Sequence, residues 1–133
     1  MNFLSRRDLL ARLAAACALA GAGHPASADV PDLTETLLSV VGDRRSAAAL
    51  GEDWVDHQPI GIKAGDLAAH LSEVLHAQGW SGSNDPAEIK QRFNAAVRAD
   101  FRRGETATVA GWQLARSQAE LCALAYFASV GLL

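Results

Sequence analysis

Apolar residues recur at intervals of three and four in five separate stretches of the chain. That spacing places them on one face of a helix, whereas a strand would alternate apolar and polar residues. The predicted helices span residues 32–41, 44–57, 64–78 and 86–103, and a last one begins at Arg116 or Ser117. Glycine or proline ends each of the first four, at Gly42, Pro59, Gly79 and Gly104. The pattern predicts an all-α fold, a small bundle of about five helices.

The fourth predicted helix has the clearest amphipathic pattern. Asn84 or Asp85 is suited to cap its start, and Pro86 fits the first turn of a helix. Its predicted buried stripe consists of Ile89, Phe93, Ala96, Val97 and Phe101. Each of these residues is therefore expected to face the core.

One short β-hairpin is predicted before the last helix. Two β-prone segments, 106–109 and 112–114, flank the pair Ala110-Gly111, and such a spacing is typical of a two-residue hairpin loop. The last helix that follows is apolar over most of its circumference, with Leu121 and Phe127 on different sides. Such a helix is either central in the core or covered by a partner.

The first 28 residues have the three parts of a cleavable secretion signal, which we call the leader. A basic start is followed by an apolar run and then by Ala26-Ser27-Ala28, small residues at the spacing that signal peptidase accepts. Arg6 and Arg7, with two leucines behind them, match the twin-arginine motif read by the Tat translocon. An amphipathic N-terminal helix and a lipoprotein signal ending at Cys17 are the alternatives.

Removal of the leader would leave one helical domain, residues 29–133, in the periplasm. The apolar run of the leader is about half of the ~20 residues that a spanning helix needs, so no permanent membrane anchor is predicted. The whole chain has a net charge of −3; without the three arginines and one aspartate of the leader, 9 basic and 14 acidic residues remain. This acidic balance disfavours binding to nucleic acid or to an anionic membrane.

Two segments near the end of the chain carry a family resemblance. Asp100 to Gly104 reads D-F-R-R-G, and Gly111 to Leu124 reads G-W-Q-L-A-R-S-Q-A-E-L-C-A-L. Together with the leader they resemble the small Tat-exported subunits of membrane-bound, flavin-dependent sugar and sugar-alcohol dehydrogenases, such as those acting on sorbitol and gluconate. The resemblance implies a cofactor-free helical partner that helps a larger catalytic flavoprotein to mature and leave the cell.

The sequence departs from that family pattern at the start of the last helix. Ala115 stands where the family has serine, and Gln118 where it has an acid, so the reciprocal capping box is incomplete. This departure favours the later of the two predicted starts, Ser117.

Isolated polar residues are the only candidates for catalysis or metal binding. His70, Glu73 and His76 lie three apart on the third helix, but the two histidines point about 120° apart, which favours a polar helix side over a metal site.

An acidic cluster surrounds Trp54 and consists of Glu52, Asp53, Asp56 and His57. We interpret it as a solvated helix face.

The sequence therefore predicts no catalytic residue, no metal and no cofactor. The lone cysteine of the domain, Cys122, lies in the most apolar helix, where a thiol is usually buried and inert. It also lacks a second cysteine with which to form a disulfide inside the domain.

Aromatic and apolar residues are the candidates for partner binding. Tryptophan is enriched at interface hot spots, and two of the three tryptophans adjoin glycines. The predicted partner-binding residues are Trp80, Trp112, Leu114, Tyr126 and Phe127. The tryptophans could instead close the ends of a small core.

Two functions agree with these patterns. The first is an exported accessory subunit that binds a larger redox enzyme and supports its maturation or export. The alternative is a stand-alone periplasmic helical binding protein without a catalytic partner.

Overall fold

A computed structural model describes residues 30–133 and places five α-helices and one two-stranded sheet there. In chain order these are α1 (Val30–Ser39), α2 (Arg44–Asp56), α3 (Ala64–Ala77), α4 (Pro86–Arg103), β1 (Thr106–Val109), β2 (Trp112–Ala115) and α5 (Arg116–Ser129). The predicted helical fold with a hairpin before the last helix is confirmed. The leader lies outside the described residues.

Helix α5 occupies the centre of the core. Every residue from 117 to 125 is buried, and α5 contacts all four other helices. Of the two explanations for its apolar circumference, the central position is therefore the correct one along this stretch. A partner has no access to the middle of α5.

The closest helix packing joins α2 to α5 at Gly51. A Cβ added at Gly51 would lie 2.7 Å from the backbone nitrogen of Ala123, and closer still to the carbonyl group of Cys122. Because these atoms belong to the backbone, no side-chain rotation could make room. Glycine at this position lets the two helix backbones approach each other.

Helix α4 begins and ends where the sequence predicts. The Asp85 side chain accepts a hydrogen bond of 3.1 Å from the backbone N–H of Ala87, which caps the start. At the other end Gly104 adopts a left-handed φ of +71°, the conformation that commonly ends a helix.

The prediction for Phe101 is wrong: its side chain is 42% exposed, whereas the neighbouring Asp100 is only 3% exposed. The Asp100 carboxylate accepts hydrogen bonds from the backbone N–H of Ser117 at 2.9 Å and from its hydroxyl at 2.7 Å. Successive residues of a helix point about 100° apart. The inward direction of Asp100 therefore turns Phe101 toward solvent.

Asp100 supplies the cap that α5 lacks in its own sequence. Ala115 occupies the N-cap position and has no side-chain acceptor, while Gln118 accepts a hydrogen bond of 3.0 Å from the N–H of Ala115. The missing bond to the first turn comes from Asp100 on α4. Helix α5 consequently begins at Arg116, the earlier of the two predicted starts, and the shift to Ser117 does not occur.

The hairpin is tightly turned and is attached to α2. Ala110 and Gly111 have φ values of +49° and +81°, the combination of a type I′ turn, with Val109 paired to Trp112. The N–H of Ala110 donates a 2.9 Å hydrogen bond to the Asp53 carboxylate. An alanine is thus held in a conformation that L-residues adopt at a cost.

We expect Ala110→Asn to stabilise the domain. Asparagine tolerates the left-handed region, and the substitution keeps the backbone N–H that Asp53 accepts, so the free energy of unfolding should rise by about 1 kcal/mol. Urea denaturation measures this change. Ala110→Val is the matched control and should lower stability, because a β-branched residue resists positive φ. Equal stability of the two variants would contradict the prediction.

Candidate functional site

A groove of about 750 Å³ lies where the starts of α3, β1 and α5 meet the loop that follows α2. Its apolar wall is formed by Trp54, Ile62 and Leu67, and Ile60 lies at its rim. Trp54 and Leu67 are buried members of the core, whereas Ile60 is fully exposed at the tip of the loop. The groove has the size of a small-molecule site.

A buried carboxylate lies at the polar side of the groove. Glu120 is 2% exposed, and its two oxygens have different partners: Nδ1 of His70 at 2.7 Å and Nε of Arg116 at 3.0 Å. A carboxylate removed from water is costly unless both oxygens are bonded. Both oxygens of Glu120 are bonded, and the contact with His70 joins α3 to the start of α5.

The buried carboxylate orients both of its partners toward the groove. The contact with Glu120 uses Nδ1 of His70, which leaves Nε2 for another contact. Arg116 uses only Nε toward Glu120, which leaves its two terminal nitrogens. Both side chains line the groove and are partly exposed.

The rim of the groove carries further charges. Asp66 in the first turn of α3 and Glu105 before β1 are both exposed and line the groove. Glu105 has a partner in Arg103, whose Nη2 lies 3.5 Å from its carboxylate. The groove thus combines an apolar wall with both signs of charge.

The histidines considered for metal binding have separate contacts. His70 contacts Glu120, whereas Nδ1 of His76 lies 3.2 Å from the carbonyl oxygen of Trp80. Within residues 30–133 no group of three metal-ligating side chains comes together.

The acidic cluster around Trp54 serves two local contacts. The Asp53 carboxylate accepts a hydrogen bond from the backbone N–H of Ala110 at the hairpin tip. The backbone carbonyl oxygen of Asp53 lies within hydrogen-bond distance of Nδ1 of His57, at 2.7 Å. That hydrogen bond raises the pKa of His57, and the negative charge of Asp53 raises it further; His57 lies exposed at the end of α2.

Burial raises the pKa of the Cys122 thiol to about 12, so this cysteine carries no thiolate at neutral pH.

Three of the five predicted partner-binding residues are buried. Trp80, Leu114 and Phe127 belong to the core, and the indole N–H of Trp80 donates to the carbonyl of Ser83 at 3.0 Å. Trp112 and Tyr126 are half-buried. Of the five, only these two offer substantial surface to another protein in the isolated chain.

Sequence reasoning missed Glu120 and Ile60. A lone acid inside an otherwise apolar helix, four residues after Arg116, was the available signal for Glu120. Ile60 stands alone between Pro59 and Gly61, a setting in which an apolar residue lies in a turn and has little chance of burial.

Comparison with family models, with curated proteins and with solved structures finds no match to this chain. Among residues 30–133, none of the helices has the length and apolar character needed to cross a bilayer. The function therefore has to be inferred from the residues of the chain itself.

Proposed function

We propose that this chain is an exported, non-catalytic small subunit that binds a larger flavin-dependent redox enzyme in the periplasm. The supporting observation is the apolar segment directly after α5, which consists of Val130, Leu132 and Leu133 and which we call the apolar end. These side chains are 50%, 64% and 56% exposed. Contiguous exposed apolar residues are typical of protein–protein contact sites.

The backbone of the apolar end is fixed rather than loose. Gly131 has a φ of +73°, its N–H bonds the carbonyl of Ala128 at 3.2 Å, and the N–H of Leu132 bonds the carbonyl of Phe127 at 2.8 Å. These two bonds form a Schellman motif. A surface that is already ordered loses less conformational entropy when a partner binds it.

Aromatic side chains adjoin the apolar end. Tyr126 is half-buried, and its ring centroid lies 5.7 Å from that of Phe127. Tyrosine at the edge of an apolar patch is a frequent interface residue. Tyr126 is accordingly the predicted partner-binding residue that best complements the apolar end, while Trp112 belongs to the hairpin before α5.

The leader and the family resemblance give the proposal its compartment and its partner class. Arg6 and Arg7 direct the chain to the Tat translocon, cleavage follows Ala28, and the acidic domain of residues 29–133 is released in the periplasm. The partner is a catalytic flavoprotein, to which this chain adds no cofactor of its own.

Antibody capture from the periplasm of the native host tests the proposal. We expect a larger flavin-containing protein in about equal amount, detected by protein quantification and flavin fluorescence, and an N-terminus at Asp29 by mass spectrometry. The double variant Leu132→Asp, Leu133→Asp should lose the companion, because charged side chains cannot be desolvated there without a large cost.

Ile60→Asp is the matched control, since Ile60 is likewise an exposed apolar residue but lies in the loop after α2. It should retain the companion. Capture of the chain alone, or of a companion without flavin, contradicts the proposal and favours a stand-alone binding protein. Retention of the companion by the double variant would show that docking uses another surface.

A further inference from the structure

Helices α3 and α5 present an open pair of opposite charges to the groove. Asp66 lies one turn before His70 on α3, and Arg116 lies one turn before Glu120 on α5. One turn further along, His70 and Glu120 are in contact at 2.7 Å. Among the described residues, no ion pair joins Asp66 to Arg116, although both line the groove.

Arg116 is held in place by a buried group. Its Nε bonds Glu120 at 3.0 Å, and Glu120 is in turn fixed by His70. The guanidinium plane is therefore oriented while its terminal nitrogens stay available. A guanidinium presented in this way matches the two oxygens of a carboxylate.

The net charge of the groove excludes a simple anion as the best ligand. Asp66, Glu105 and Glu120 are acidic, against Arg116 and the imidazole of His70. An anion would be repelled by Asp66, and a cation would make no use of the two terminal nitrogens of Arg116. A ligand with both charges satisfies both side chains.

We propose that the groove binds a small zwitterion with an apolar body, namely a free amino acid with an apolar side chain. Its carboxylate pairs with Arg116, its ammonium group pairs with Asp66, and its side chain packs on Trp54, Ile62 and Leu67. This inference is independent of partner docking, because the start and the end of α5 are about 20 Å apart at ~1.5 Å per residue.

Three related molecules test the contact with Arg116 and the contact with Asp66 one at a time. L-Leucine, 4-methylpentanoate and 3-methylbutylamine share an apolar body, but the second lacks the ammonium group and the third lacks the carboxylate. We titrate each into the ¹⁵N-labelled full chain and follow the amide resonances of residues lining the groove. Leucine should saturate these shifts, and each analogue should bind at least about tenfold more weakly, the typical effect of one lost charged hydrogen bond.

Two substitutions assign the contacts. Asp66→Asn should abolish the preference for leucine over 4-methylpentanoate, and Arg116→Gln should abolish its preference over 3-methylbutylamine. A purely structural role would change neither preference. The exposed Glu73→Gln and Arg98→Gln, outside the groove, are the charge-matched controls and should bind leucine as the unmodified chain does.

Three results would overturn the inference. These are the absence of saturable shifts with leucine, equal binding of all three molecules, and unchanged preferences in Asp66→Asn. Asp66 is exposed, so its variant remains informative even where Arg116→Gln loses its fold, which the amide spectrum shows directly.

Discussion

Gly51→Ala is expected to lower the free energy of unfolding by about 3 kcal/mol, at the upper end of the usual cost of overpacking a core. The new methyl group would lie inside the contact distance of the Cys122 carbonyl and 2.7 Å from the nitrogen of Ala123. Helices α2 and α5 would have to separate, and the packing between them would be lost. Urea denaturation followed by circular dichroism measures the change.

The buried thiol of Cys122 gives a second readout at the same contact. In a Cys17→Ser background it should react slowly with thiol reagents in the unmodified chain and faster in Gly51→Ala. The matched control is Gly65→Ala on α3, where an added Cβ has no atom within 4 Å. That control should gain up to about 1 kcal/mol, because alanine is the better helix former. A similar effect at both glycines would contradict the close approach of α2 and α5.

Asp100→Ala is expected to lower the free energy of unfolding by about 2–3 kcal/mol, the cost of leaving buried hydrogen-bonding groups without a partner. The N–H and the hydroxyl of Ser117 would both lose their acceptor, and the start of α5 would lose its cap. Urea denaturation again gives the magnitude.

Asp85→Ala provides the comparison for a cap in solvent. Asp85 caps α4 but is exposed, so its loss should cost only about 1 kcal/mol. Equal costs at the two aspartates would show that burial adds nothing to the Asp100 cap. Asp100→Asn should fall between the unmodified chain and Asp100→Ala, because the amide keeps one acceptor.

Local signals predicted most of the secondary structure. The apolar spacing, the aspartate at residue 85 and the glycine at residue 104 all act within a few residues, and α4 begins and ends accordingly. The two-residue hairpin loop is also a local feature, and its position is confirmed. Prediction failed at Phe101 and left the start of α5 open between Arg116 and Ser117, because the deciding group is Asp100, on a different element from Ser117.

The groove could not be predicted because its contacts span long stretches of sequence. His70 and Glu120 are 50 residues apart, and no pattern within either helix predicts that the two side chains meet. Trp80 shows the opposite problem, since its glycine neighbour suggested an exposed loop, yet the side chain is 4% exposed. Burial depends on how helices pack, and the local pattern reports only which residues are apolar.

The central position of α5 has a consequence for biosynthesis. Ribosomes make α1 to α4 first, and the apolar faces of these four helices have no central helix to cover them until residues 117–125 have emerged. Folding of this domain is therefore expected to wait until α5 has emerged from the ribosome. A nascent chain arrested before Ser117 should be sensitive to protease and bind chaperones, whereas the completed chain should resist digestion.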